Sequence, residues 1–149
     1  MTFMTIKRIT LLSIEEYEKY KSVIPTTNYW WWLRSPGYYQ NYAAYVSNGG
    51  DAIMRGYNIN DAFGAVRPAL KINLEMTDNR FWYKPEKLIG SKIEYGQYTW
   101  TVLNANFGEL YALCDESIAK HCFDPESNDW DKSELKQWLE TEGLKLITA

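Results

Sequence analysis

Cys114, His121 and Cys122 are the residues whose types most readily suggest chemistry. A thiol beside an imidazole can act as nucleophile and base, and both groups ligate metals. The spacing argues against each use. No fourth ligand stands at zinc-like spacing, and a single histidine must serve every role. Adjacency in sequence does not itself bring the side chains of His121 and Cys122 together. They are read as structural residues. The two cysteines are even in number, but a chain of this size without a secretory signal fits a reducing compartment and free thiols. No glycine-rich phosphate loop, G-x-S-x-G, H-E-x-x-H or paired-carboxylate constellation occurs. The expectation is a protein that is not an enzyme and carries no cofactor and no metal.

Binding chemistry is better represented. Between Tyr38 and Asp61 stand Tyr38, Tyr39, Asn41, Tyr42, Asp51, Arg55, Tyr57, Asn58, Asn60 and Asp61. Tyrosine gives rigid contact area, and asparagine and aspartate give adaptable hydrogen bonding. Gly37, Gly49, Gly50 and Gly56 let the loops bend. These ten residues form the predicted ligand-binding surface. Trp31, Trp32, Arg34, Arg67, Trp100 and Trp138 are assigned to the framework. The tryptophans are core because burying large aromatics is a main stabilising term. The two arginines sit where a guanidinium fork holds loop carbonyls or a carboxylate in place; a buried anion site is the weaker reading. Strand alternation puts Trp31 on the face opposite to Trp30 and Trp32.

The elements that must position these residues follow from composition and punctuation. The chain has 149 residues, enough for one domain with a substantial core. Aromatic residues make up 16%, with seven Trp and twelve Tyr, far above need for an ordinary core. Net charge is −3 with no basic stripe, which excludes generic binding to a phosphate backbone. Neither a signal-type apolar region nor a membrane-spanning run is present, so the protein is expected to be cytoplasmic.

"FMTIKRITLL" predicts a strand, and "SIEEYEKYKS" a helix with Ser13 and Glu16 at capping-box spacing and a Leu12–Tyr17 staple. Pro25 ends that helix. The turn clusters "SPG", "SNGGD" and "NIND" separate short strands at residues 43–46, 51–55 and 65–72. Pro68, inside the last of these, must sit at an edge or bulge. Residues 75–92 look like a connection pinned by Phe81, Trp82 and Tyr83. "GQYTWTVLN" and "GELYALCD" predict a hairpin turning at "NANFG", with Tyr98, Trp100 and Val102 on one face. "DWDKSELKQWLETEG" predicts a helix capped by the Asp131–Glu134 pair, with a Leu135, Trp138, Leu139 stripe and Gly143 as its stop. The class is α+β, with short, mostly antiparallel strands and two helices.

"WWLRSPG" (residues 31–37), "AAYV" and "VRPAL" (residues 66–70), preceded by "LLSIEEYEKY", resemble a bacterial and phage module family of C-type-lectin-like fold. That fold is shared with formylglycine-generating enzymes and the variable proteins of diversity-generating retroelements. "IEYGQYTWTVLNANFGELYALCDESI" and "WDKSELKQWLE" are similar to the opening strands and first helix of the same module. The order is reversed. The resemblance therefore implies a circular permutant: residues 1–76 as the usual C-terminal half, 77–92 as linker, and 93–149 as the usual N-terminal half. A domain-swapped homodimer is the alternative to a monomer. The usual G-V-R-P is spread by one residue, Ala65, which suggests a bulge. Neither E-P-N, Q-P-D nor W-N-D, the calcium-site tripeptides of sugar-binding C-type lectins, is present, and the cysteine pair of the formylglycine-generating enzymes does not map onto Cys114 and Cys122.

The functional expectation is a non-catalytic module that binds a protein or other ligand through its Tyr/Asn/Gly-rich surface. A small phage-encoded inhibitor of a host enzyme or defence system is the alternative. Neither generic nucleic-acid binding nor a membrane partner is expected.

Overall fold

The computed structural model describes residues 2–76 and 84–149. The expected pinning by Phe81, Trp82 and Tyr83, and the first part of the predicted linker, residues 77–83, lie outside the described residues; the remainder holds a 3-10 turn, Pro85–Leu88, and reaches the first residue of a strand at Lys92. The class is α+β, and the described residues form ten strands in two five-stranded sheets.

The first sheet has the order β1-β6-β9-β8-β7 and is antiparallel throughout. It is built from β1 (Thr2–Thr10), β6 (Ala69–Met76), β7 (Lys92–Tyr95), β8 (Tyr98–Asn106) and β9 (Glu109–Cys114). The second sheet has the order β10-β5-β2-β3-β4, from β2 (Trp31–Pro36), β3 (Tyr42–Val46), β4 (Ala52–Asn58), β5 (Ala65–Val66) and β10 (Ala119–Lys120). Its one parallel pairing joins β2 to β5 at Trp31 and Ala65. The front and tail portions of the chain meet in both sheets. β6 pairs with β9 from Ala69↔Leu113 to Asn73↔Glu109, and β5 pairs with β10.

Helix α1 (Ile14–Tyr20) carries the full capping box: Ser13 accepts from the Glu16 amide, and Glu16 accepts from the Ser13 amide. This satisfies two donors that helix geometry leaves orphaned. The C-terminal helix starts differently from expectation. Ser133, not Asp131, is the N-cap of α2 (Glu134–Trp138), accepting from the Lys136 amide. Asp129 instead caps a short 3-10 turn, Trp130–Lys132. Gly143 does not stop the helix. It lies in a π-helical turn (Leu139–Gly143) that runs on into α3 (Leu144–Thr148). Its backbone is helical and it is buried, and a Cβ there would come 2.9 Å from Leu139 Cδ1, so the missing side chain serves packing rather than termination.

The predicted strand at residues 65–72 is two strands. Pro68 has no N–H to give to a ladder, and at Arg67–Pro68 the chain leaves the second sheet for the first. Ala65 makes no bulge: it pairs in register with Lys120 and with Trp31. The hairpin turn is shorter than expected, with β8 running to Asn106 opposite Glu109.

Buried residues form two clusters, and each draws on both portions of the chain. The larger joins Trp32, Ile59, Leu70 and Ile72 to Trp100, Val102, Phe123, Leu135, Leu139 and Ile147. The smaller joins Leu12, Tyr17, Trp31, Leu33, Ala44 and Val46 to Leu103 and Leu113. Alternation on β2 thus sends Trp31 and Leu33 to one cluster and Trp32 to the other. β8 is buried on both faces, with Thr101 and Leu103 as covered as Trp100 and Val102. Removing the Trp32 ring alone is worth about 3–5 kcal/mol.

Candidate binding surface

Three segments converge where β2 ends. Gly37 N donates to Tyr42 O, and Tyr38 N donates to Arg55 O. The approach is closer than any side chain permits. A Cβ on Gly37 would lie 2.4 Å from Arg55 O, and one on Gly56 would lie 2.6 Å from Ala43 O. Gly56 also has φ +90, a left-handed conformation that favours glycine. These two glycines pack strands together; they do more than bend loops.

On this base the exposed aromatics stand. Tyr38 is 69% exposed, Tyr39 57% and Tyr57 47%. Tyr42 is half-buried and meets Tyr39 edge to face at 5.3 Å. The loop is also held from the tail of the chain: Asn128 Nδ2 donates to the carbonyls of Tyr39 and Tyr42, each at 3.1 Å.

The ten predicted residues do not form one patch. Tyr38, Tyr39, Asn41, Tyr42, Arg55, Tyr57 and Asn58 gather at one end, through the pairs Tyr42↔Asn58 and Ala43↔Tyr57. Asn58 and Asp61 hold the turn that follows β4, accepting from the amides of Asn60 and Phe63. Asn60 is exposed on that turn. Asp51 lies at the opposite end of β4, roughly 20 Å away at strand rise, where Ser47 N donates to its carbonyl and its amide to Ser47 Oγ.

A groove of about 380 Å³ opens beside Tyr57. Tyr29, Trp30, Tyr45 and Tyr57 line it, with the neutral polar side chains of Asn28, Ser47 and Asn48. Trp30 organises the rings. It stacks on Tyr29 at 6.1 Å, and contacts Tyr45 and Tyr57 at 5.3 Å each. Behind it, Trp30 meets the fully buried Trp32 edge to face at 4.9 Å, and Trp32 meets Phe123 at 5.8 Å. An unbroken aromatic row therefore leads from the core to the surface. Of the predicted residues only Tyr57 lines this groove. The signal for the others lay in the alternation: Trp30 shares a face with Trp32, and Tyr45 stands opposite Ala44 and Val46.

The framework arginines hold carbonyls. Arg34 Nη1 donates to Leu11 O and to the Glu16 carboxylate, tying α1 to β2. Burial alone would raise the Glu16 pKa. The hydrogen bond from Arg34, the Ser13 amide and the Arg34 charge outweigh it and bring the carboxyl below its ordinary value. Arg67 Nε donates to Cys114 O at 2.6 Å and Nη2 to Pro25 O at 2.8 Å. Burial draws Arg67 down to about 10, so it remains cationic at neutral pH. Trp31, Trp32 and Trp100 are buried and Trp138 half-buried. Both thiols are free, Cys114 in the core and Cys122 half-buried. Among the described residues no helix is long and apolar enough to cross a membrane.

A family model described as a domain of unknown function, DUF6273, matches residues 5–74. The matched segment holds α1, the tryptophan run, the groove and all ten predicted residues. Neither a curated protein nor a solved structure matches the chain.

Proposed function

We propose that this chain is a non-catalytic binding module on a C-type-lectin-like scaffold with permuted halves, presenting the groove and the tyrosines beside it to a protein or other ligand. The observation that carries the binding role is the aromatic row from Phe123 and Trp32 through Trp30 to Tyr45 and Tyr57. A surface aromatic normally gains by turning inward. Here Tyr45 and Tyr57 lean on Trp30, which is itself packed on the buried Trp32, so these rings are rigid before any ligand arrives, which lowers the ordering cost of binding. The permuted scaffold is supported by the placement of β6 between β1 and the tail hairpin, as two halves of one module require.

The experiment compares the wild-type chain with the triple variant Tyr38→Ala, Tyr39→Ala, Tyr57→Ala as bait in pull-downs. The expected result is a ligand retained by the wild type and lost by the variant, with Tm within a few degrees because exposed positions contribute little to stability. Retention of the same ligand by both baits overturns the assignment of the surface. An intracellular enzyme as the retained species selects the inhibitor role; a surface protein or glycan selects the display role. A solution mass of 17.5 kDa is expected for the monomer, and twice that for a swapped dimer.

A further inference from the structure

The tertiary structure adds a third group to the cysteine–histidine pair that the sequence leaves incomplete. The loop His121–Asp124 crosses the start of α2 with its backbone fixed on all sides. His121 N donates to Gly64 O, and His121 O accepts from Trp32 Nε1, both at 2.9 Å. Phe123 N donates to Ile59 O at 2.9 Å, and Phe123 O accepts from Leu135 N at 3.0 Å. Asp124 Oδ1 accepts from Glu134 N at 2.8 Å, which brings the first residue of α2 against the loop.

As a result the ligand atoms of His121, Cys122 and Glu134 all lie within 4.8 Å of one another, with His121 Nε2 4.0 Å from Glu134 Oε1. The His121 ring is oriented as a metal ligand is. Its Nδ1 lies 2.7 Å from Cys122 O, so the tautomer that donates there leaves Nε2, 4.0 Å from Glu134 Oε1, as the unprotonated nitrogen. The Trp138 ring, 5.3 Å away, packs beside the imidazole. Glu134 is exposed and free to close on an ion from the solvent side.

We propose that His121 Nε2, Cys122 Sγ and the Glu134 carboxylate form a three-ligand site for a borderline-soft divalent cation of the Zn²⁺ class. One sulfur, one nitrogen and one oxygen suit zinc, whereas calcium and magnesium require oxygen ligands throughout. Bonds of roughly 2.0–2.3 Å in tetrahedral geometry put ligand atoms about 3.5 Å apart, so the triad contracts by about 1 Å on binding. The fourth position faces solvent. The site shares no ligand with the groove, although it lies on the loop whose Phe123 packs on the Trp32 indole.

The test uses Co²⁺ as a spectroscopic substitute on the reduced, full-length chain. The expected result is a thiolate-to-cobalt charge-transfer band and intense tetrahedral visible bands, saturating at one ion per chain and displaced by Zn²⁺. Cys122→Ser should abolish the charge-transfer band. Glu134→Gln should keep that band and weaken the metal by about tenfold. Far-ultraviolet circular dichroism and metal-free Tm establish that each variant is folded, and Cys122→Ala replaces Cys122→Ser if the serine variant is not. No charge-transfer band in the wild type overturns the site. So does a band that survives in a folded Cys122 variant, or a Zn²⁺-induced rise in Tm that is equal in that variant and the wild type.

Discussion

The guanidinium of Arg67 lies 4.9 Å from the centre of the Trp31 ring, with the arginine only 1% exposed. Its charge is held by two backbone carbonyls and an indole face, and its Nη1 has no hydrogen-bond partner among the described residues. The pair sits where the chain leaves one sheet for the other, so the arginine fixes the geometry of that crossing.

Arg67→Lys should therefore not behave as a conservative change. An ammonium cannot reach both carbonyls in the plane of the fork or lie flat on the indole. A loss of about 2 kcal/mol is expected in urea unfolding, with a blunted Trp31 contribution to near-ultraviolet circular dichroism. Stability equal to wild type would mean that the carbonyls are satisfied in another way.

The Arg34–Glu16 contact gives a pH signature. The Glu16 pKa is lowered in the fold, so its contribution is present above the ordinary carboxylate value of 4.5 and is lost as pH falls through the lowered one. Glu16→Gln should cost about 1 kcal/mol at neutral pH. Melting curves from about pH 7 down to about pH 3 should show the difference between wild type and variant disappear at the acid end. A difference that stays constant across that range would contradict the ionic origin.

Gly56→Ala puts a side chain against Ala43 O at a backbone angle of φ +90. The expected cost is about 2–3 kcal/mol, from strain together with displacement of β4. Because β4 carries Tyr57, ligand binding should fall as well. A Tm unchanged from wild type would show that the strand can shift without penalty.

Asn128→Ala removes both donors to the β2–β3 loop. Stability should drop by no more than about 1 kcal/mol, since the site is partly exposed. Hydrogen exchange should nevertheless accelerate locally, at the amides of Gly37 and Tyr42, which close that loop. Uniform protection in the variant would show that the loop is rigid without the clamp.

What the sequence made legible was local. The capping box of α1 is set by residues three apart, and alternation across Trp30–Trp32 is set by backbone pleat; both are visible in a short window. Tyr45 joins the groove only through its pairing with Trp32 across β2 and β3, which no short window of sequence displays. Asp131 stands at capping-box spacing from Glu134, a stronger local signal than Ser133, which has Lys136 three residues on. Glu134 joined no cluster because twelve positions separate it from Cys122 in sequence. Gly143 has the residue type of a helix stop, yet it lies inside the continuing helix, where a Cβ would press on Leu139 and Trp138.

The pairing of β6 with β9 and of β5 with β10 means that the stretch matched by the family model is shorter than the stretch that folds. Residues 5–74 produced alone would expose two raw sheet edges and leave Trp32 without Phe123 and Trp100 above it. Such a fragment has every residue of the groove and no means of keeping it in shape. It would aggregate, or recover solubility by recruiting a second polypeptide to supply the absent hairpin.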